Sequence, residues 1–298
     1  MAGNSNKAVI AALFANGGIA IAKFFGFAVT GAASMLAEGV HSVADTANQA
    51  LLLWGGVAGR RAPDRTRPFG YGRERYFWAF VVAVVMFSLG GVYAAYEGIS
   101  KINHPHSIEQ PEWAIGILTF GIILEGASFL LAYRIANERR RGRPWWRFIR
   151  ESKAPELVTV LLEDFGALVG LILALAGISL SVALDDSRFD ALGSISIGVL
   201  LILIAAILAF EMRSLLIGEA APPDVESAIR ASLESQAFLD RLDDLRTLQI
   251  GPDTLLVAVK AEFDPGLSSA QTAEAIRQAE IAIRRHAPQA TFVYIEPE

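Results

Sequence analysis

Long apolar runs separated by short polar connections occupy the chain up to about residue 217, after which the pattern changes to brief alternating segments. A helix needs roughly 20 predominantly apolar residues to cross the hydrocarbon layer of a bilayer. Segments 8–30, 34–57, 77–96, 113–133, 157–180 and 191–210 meet that length, which predicts six transmembrane helices. Beyond Glu219, Pro222 and Pro223 the spacing becomes that of a soluble domain. An amphipathic helix is expected over 224–236, with strands over 245–250 and 254–263 around the turn Gly251-Pro252-Asp253. A second helix is expected over 268–286, with Ser268 or Ser269 as its N-cap, and a last strand over 291–295. The order αββαβ suggests a small split-βαβ sandwich. The expected fold is thus an α-helical membrane protein, with six transmembrane helices over 1–217 and a cytoplasmic C-terminal α+β ferredoxin-like domain over 218–298. A domain of about eighty residues buries little core on its own, so this tail is expected to dimerise.

Composition agrees with the pattern. The 298 residues are 53% hydrophobic and 19% charged, against roughly 25% charged in a soluble domain. A net charge of −5 is too mild to imply a nucleic-acid partner. The absence of cysteine excludes disulfides and thiolate metal sites. Lys7 is the one cation beside the first apolar run, which reads as a retained helix rather than a cleaved signal.

Loop charge gives the expected orientation. The second connection carries Arg60, Arg61, Arg65, Arg67, Arg73 and Arg75; the fourth carries Arg134, Arg139, Arg140, Arg141, Arg143, Arg147, Arg150 and Lys153. The connection at 31–33 is uncharged, the third holds Lys101 with Glu109 and Glu112, and the fifth holds Asp185, Asp186 and Arg188. Positive loops remain in the cytoplasm, so both termini are expected there. A multi-pass protein of a bacterial inner membrane fits. Trp145 and Trp146 within the Arg-rich fourth connection read as an interfacial segment against anionic lipid.

Ionisable groups inside a span cost a few kcal/mol each and need a partner or a role. In the second span His41 and Asp45 are four apart on one helix face, with Glu38 one turn before and Asn48 one turn after. An imidazole and a carboxylate presented together make half of a tetrahedral site for zinc or a similar ion. The fifth span carries Glu163 and Asp164 in an apolar run, with Gly166, Gly170 and Gly177 open to close approach by another helix. Spacing alone leaves two readings open: a metal site, or a His–Asp pair that satisfies itself between helices. Lys23, Glu97 and Glu125 read as structural or snorkelling charges.

These residues resemble those of the cation diffusion facilitator family, the ZnT-type proton-coupled divalent metal exporters. The likeness runs over nearly the whole chain: SMLAEGVHSVAD in the second span, PFGYGRER in the loop, LLEDFGALVG in the fifth span, Asp190 opening the sixth, and DLRTLQIGPDTLLVAVKAEF with VYIEPE in the tail. The fifth-span stretch is similar to the branch of mitochondrial ZnT-like proteins. The resemblance implies a homodimer and a metal site between the second and fifth spans, open alternately to either side. It would hold a transported ion (zinc, alternatively manganese or iron(II)) with no prosthetic group. Its ligands would be an HxxxD or DxxxD pair on each helix. His41 and Asp45 match the first pair and Asp164 the acidic end of the second, but Val160 stands where the remaining ligand is expected. Glu163, water or Asn48 is left to complete the shell. Glu163 lies about 100° around the helix from Asp164, so it is not a direct replacement for Val160. An oxygen-rich site would admit harder ions than a His/Asp tetrahedron. Other family sites look absent: Arg67 and Tyr71 stand at loop positions where histidines are usual, and the tail holds one histidine, His286. A channel, or a membrane scaffold or sensor that transports nothing, are the competing functions; no nucleophile–base arrangement suggests an enzyme.

Overall fold

The computed structural model describes residues 17–105, 108 and 110–298; the expected helical residues 8–16, Lys7 and Glu109 lie outside these. The described chain runs α1 (Gly17–Thr30), α2 (Ala33–Ala58), α3 (Glu74–Asn103), α4 (Pro111–Arg140), a short α5 (Trp145–Glu151), α6 (Pro155–Leu184) and α7 (Arg188–Ile217). There follow α8 (Pro223–Glu234), β1 (Leu239–Gly251), β2 (Thr254–Phe263), α9 (Ser269–His286) and β3 (Ala290–Pro297). By length and composition α3, α4, α6 and α7 are able to cross a membrane, at 30 residues each. Helix α2 has 26 residues, with Glu38, His41, Asp45 and Asn48 interrupting its apolar run.

The described residues divide into two compact units, one of those up to Gly55 with those from Trp78 to Met212, the other of Gly56–Phe77 with Arg213–Glu298. In the first, two features fix the helices. One is a seam between α3 and α7. A Cβ added at Gly198 would stand 2.6 Å from the Ala95 amide nitrogen, and one at Gly98 would stand 2.6 Å from the Ala191 carbonyl oxygen. Backbones approach this closely only where side chains are absent, and Ser194 Oγ reaches the Ala94 carbonyl at 2.8 Å across the same seam. Within α3 the stretch Met86–Val92 is a π-helical turn, an insertion that is frequent at functional positions.

The other is a buried ionic knot at the ends of α1, α3 and α7. The Asp190 carboxylate accepts from the Ala33 amide at 2.8 Å, from the Ser34 amide at 3.3 Å and from the Ser34 hydroxyl, capping α2 from a different helix. Lys101 Nζ pairs with Asp190 Oδ2 at 2.9 Å and donates to the Gly31 carbonyl at 3.1 Å. Lys101, expected as a loop charge, is therefore a buried residue of α3. The glycines expected to admit a neighbour do so: a Cβ at Gly166 would meet Ile204 at 2.9 Å, and one at Gly177 would meet the Phe189 carbonyl at 3.0 Å.

In the second unit β1 and β2 pair antiparallel and β2 and β3 parallel, giving the sheet order β1-β2-β3. Strand β2 alternates buried and half-buried residues, so that Leu255, Val257, Val259, Ala261 and Phe263 join Ile229 and Leu233 of α8 and Ala275, Ala279 and Ile283 of α9 in one core. Strand β1 starts six residues before the expected 245, because Leu239 and Leu242 continue the apolar spacing through register shifts. Ser268 is the N-cap of α9 and forms a capping box with Gln271. The loop 59–73 belongs to this unit. Phe69 meets Phe292 edge-on at 5.2 Å, and Arg75 pairs with Asp253 at 3.1 Å. Asp64 accepts from the Tyr71 hydroxyl at 2.6 Å and from Thr66 and Arg67. Those bonds, Tyr71's foremost, hold its carboxyl well below the usual range.

Candidate metal centre

Helix α2 presents its polar residues every third or fourth position, so they form one stripe. That stripe is buried: His41 is 1% exposed, Asp45 7% and Asn48 0%. On α6, Glu163 and Asp164 are buried as well, at 4% and 8%. Burying so many polar groups in an apolar bundle is costly unless each finds a partner.

Some do. Asn48 Nδ2 donates to Glu163 Oε1 at 2.8 Å, joining α2 to α6. The carboxyl groups of Asp45 and Glu163 lie close to each other. Ser128 Oγ of α4 donates to Asp164 Oδ2 at 2.9 Å. Lys23 of α1 donates to Glu38 Oε2 at 2.9 Å and to Ser42 Oγ at 2.7 Å, a paired structural charge as its sequence reading expected.

Others do not. Among the described residues both ring nitrogens of His41, Asp45 Oδ1, Asn48 Oδ1 and Glu38 Oε1 are buried with no hydrogen-bond partner. His41 Nε2 and Asp45 Oδ2 stand 3.4 Å apart, too far for a strong charge-assisted bond. Two glycines leave room beside this stripe. Gly90, on the π-helical turn of α3, would place a Cβ 3.7 Å from His41 Nδ1, and Gly170 would place one 2.6 Å from Glu38 Oε1. The sequence offered no signal for the π-helical turn.

The four sequence-derived residues thus lie on facing helices, but not as a closed shell. Among the described residues no three His, Asp or Glu side chains converge as a metal site. Asn48 engages Glu163, and Ser128 engages Asp164. Val160, at the position where a ligand is missing, packs with Phe129, Trp145 and Leu157 around Ala132, Ala136, Phe148 and Leu161. The fourth helix enters the site through Ser128, which the spacing arguments overlooked because a serine in a long apolar helix is common.

A helical membrane protein with a buried, under-satisfied His/Asp stripe facing two acids is the class that this geometry defines. Residues 9–217, well over half of the chain, match the model of the cation efflux transmembrane domain. The chain belongs to the cation efflux family. It is 32% identical over 260 residues to the mitochondrial proton-coupled zinc antiporter SLC30A9 of Xenopus laevis, covering 87% of this chain and 46% of that protein. It is 33% identical over 263 residues to metal tolerance protein C4 of Arabidopsis thaliana, covering 88% of this chain and 57% of that one. With the manganese efflux system protein MneP of Bacillus subtilis it shares 25% identity over 289 residues, 94% of this chain and 91% of the other. The chain spans about half the length of the first two relatives.

Proposed function

We propose that this chain exports divalent transition-metal ions in exchange for protons, by alternating access, and is a transporter rather than an enzyme. Zinc is the proposed cargo, with manganese or iron(II) as alternatives. The supporting observation is the set of buried, partnerless donor atoms on His41 and Asp45, facing Glu163 and Asp164. A cation with its ligands gathered would satisfy those atoms, and metal binding requires that the ligands first lose their protons. Metal arriving from the cytoplasm would displace protons from His41, Asp45, Glu163 and Asp164, and protons on the far side would displace the metal. The hydrogen bonds from Asn48 and Ser128 hold the two α6 acids when no cation does so.

We place six transmembrane helices in the membrane, α1 and α2 joining the four most apolar ones, with both termini cytoplasmic by the positive-inside rule. Residues 218–298 form a ferredoxin-like domain that pairs with a second copy, making a homodimer in a bacterial inner membrane. An oxygen-rich shell, with Val160 in place of a ligand, favours tolerance of manganese beside zinc.

Zinc titration of the purified chain in detergent tests the site. Asp45→Ala is expected to weaken binding more than about 100-fold, since even outer-shell groups contribute 10–100-fold. Binding by the native chain is expected to weaken as pH falls, because protons and metal compete for the same atoms. Unchanged affinity in Asp45→Ala would remove the site from this position.

A further inference from the structure

The structure gives the fourth helix a larger part than a wall. Glu125 and Ser128 of α4 are three residues apart and share a face. Ser128 is bonded to Asp164, which fixes that face toward the metal centre. One turn away, Glu125 borders, with Ile19, Ser42 and Asp45, a crevice too narrow to hold a water molecule. Its carboxyl is close enough to Asp45, Glu163 and Asp164 for their charges to interact. Asp45 is 7% exposed and its Oδ1 has no partner among the described residues. Lys23, a cation whose charge reaches Glu125, is already held by Glu38 and Ser42.

Resting on the proposed function above, we infer that Glu125 is a ligand of the transported divalent cation, supplying from α4 the donor that Val160 of α6 does not. Glu125 and Asp45 border the same narrow crevice, while Val160 packs into the apolar cluster around Phe148. A divalent ion drawing the acids of α2, α4 and α6 together would offset their mutual repulsion in a region of low dielectric. A ligand set of one imidazole with several carboxylates is oxygen-rich, and such sets suit manganese as well as zinc. Glu125, whose sequence reading was a structural or snorkelling charge, is thereby part of the site.

The test is metal binding by the full chain in detergent, titrated with zinc alone and with manganese alone. The native chain is compared with Glu125→Gln, Glu125→Asp and Asp45→Ala, with thermal melting recorded for each. Glu125→Gln keeps the side-chain shape and removes the charge; it is expected to lower manganese affinity at least tenfold and zinc affinity by a smaller factor. Glu125→Asp, which keeps the charge and withdraws it by one methylene, is expected to fall between the two and serves in place of Gln if that variant does not fold. Affinity for both metals within twofold of native in the folded Glu125 variants, with binding lost in Asp45→Ala, would overturn this inference and leave the proposed site standing. Native affinity in Asp45→Ala would instead remove the proposed site itself, and with it the assignment of Glu125.

Discussion

Asp190→Ala is expected to destabilise the helical unit by about 3–5 kcal/mol, the usual cost of removing one partner from a buried ion pair. Lys101 and Asp190 are both 0% exposed at their side chains, so the substitution strands an ammonium group where no water reaches. The same change removes the cap of α2, because the Ala33 and Ser34 amides both donate to Asp190; cap loss adds about 1 kcal/mol. Thermal unfolding in detergent is the measurement. The double variant Lys101→Met/Asp190→Ala is expected to recover much of the loss, since replacing both charges leaves no unpaired ion. A single variant that melts within about 1 kcal/mol of native would show that the knot carries little stability.

Gly198→Val is the second change with a large expected effect. A Cβ at this position would stand 2.6 Å from the Ala95 amide nitrogen and 2.7 Å from the Gly91 carbonyl oxygen, both backbone atoms that no rotamer change moves aside. Helices α3 and α7 must therefore separate, at a cost of at least 1–3 kcal/mol for overpacking. The separation also has a functional consequence. Gly90, beside Gly91 on the π-helical turn, lies against His41, so a displaced α3 alters the surroundings of the metal centre. Reduced thermal stability together with weakened zinc binding is expected. Gly116→Ala provides the control, because among the described residues nothing lies within 4 Å of the added atom. Native stability and binding in Gly198→Val would mean that the seam adjusts freely.

Much of the fold was legible because long apolar runs have few alternatives once they exceed the thickness of a bilayer. Alternation in 254–263 likewise gave β2 correctly, since every second residue had to enter the core. Features formed between distant segments were not legible. Nothing in the sequence near Lys101 indicates that Asp190 will meet it, and charge counting placed that lysine in a loop. The π-helical turn at Met86–Val92 lays Gly90 and Gly91 against α7, a fit that local propensity does not encode. At the site, the His41–Asp45 spacing and the Glu163–Asp164 pair were visible as costly charges in apolar helices. Ser128 and Glu125 were harder to see because their significance comes from the packing of α4 on α6.

Metal uptake into proteoliposomes most directly tests the claim that the chain is a proton-driven exporter. Zinc, manganese and iron(II) would each be offered outside vesicles with a more acidic interior, and native protein compared with Asp45→Ala and Asp164→Ala. The expected result is uptake that depends on the pH difference and is lost in both variants. Uptake of no ion, uptake indifferent to the gradient, or uptake unchanged in both variants would contradict it.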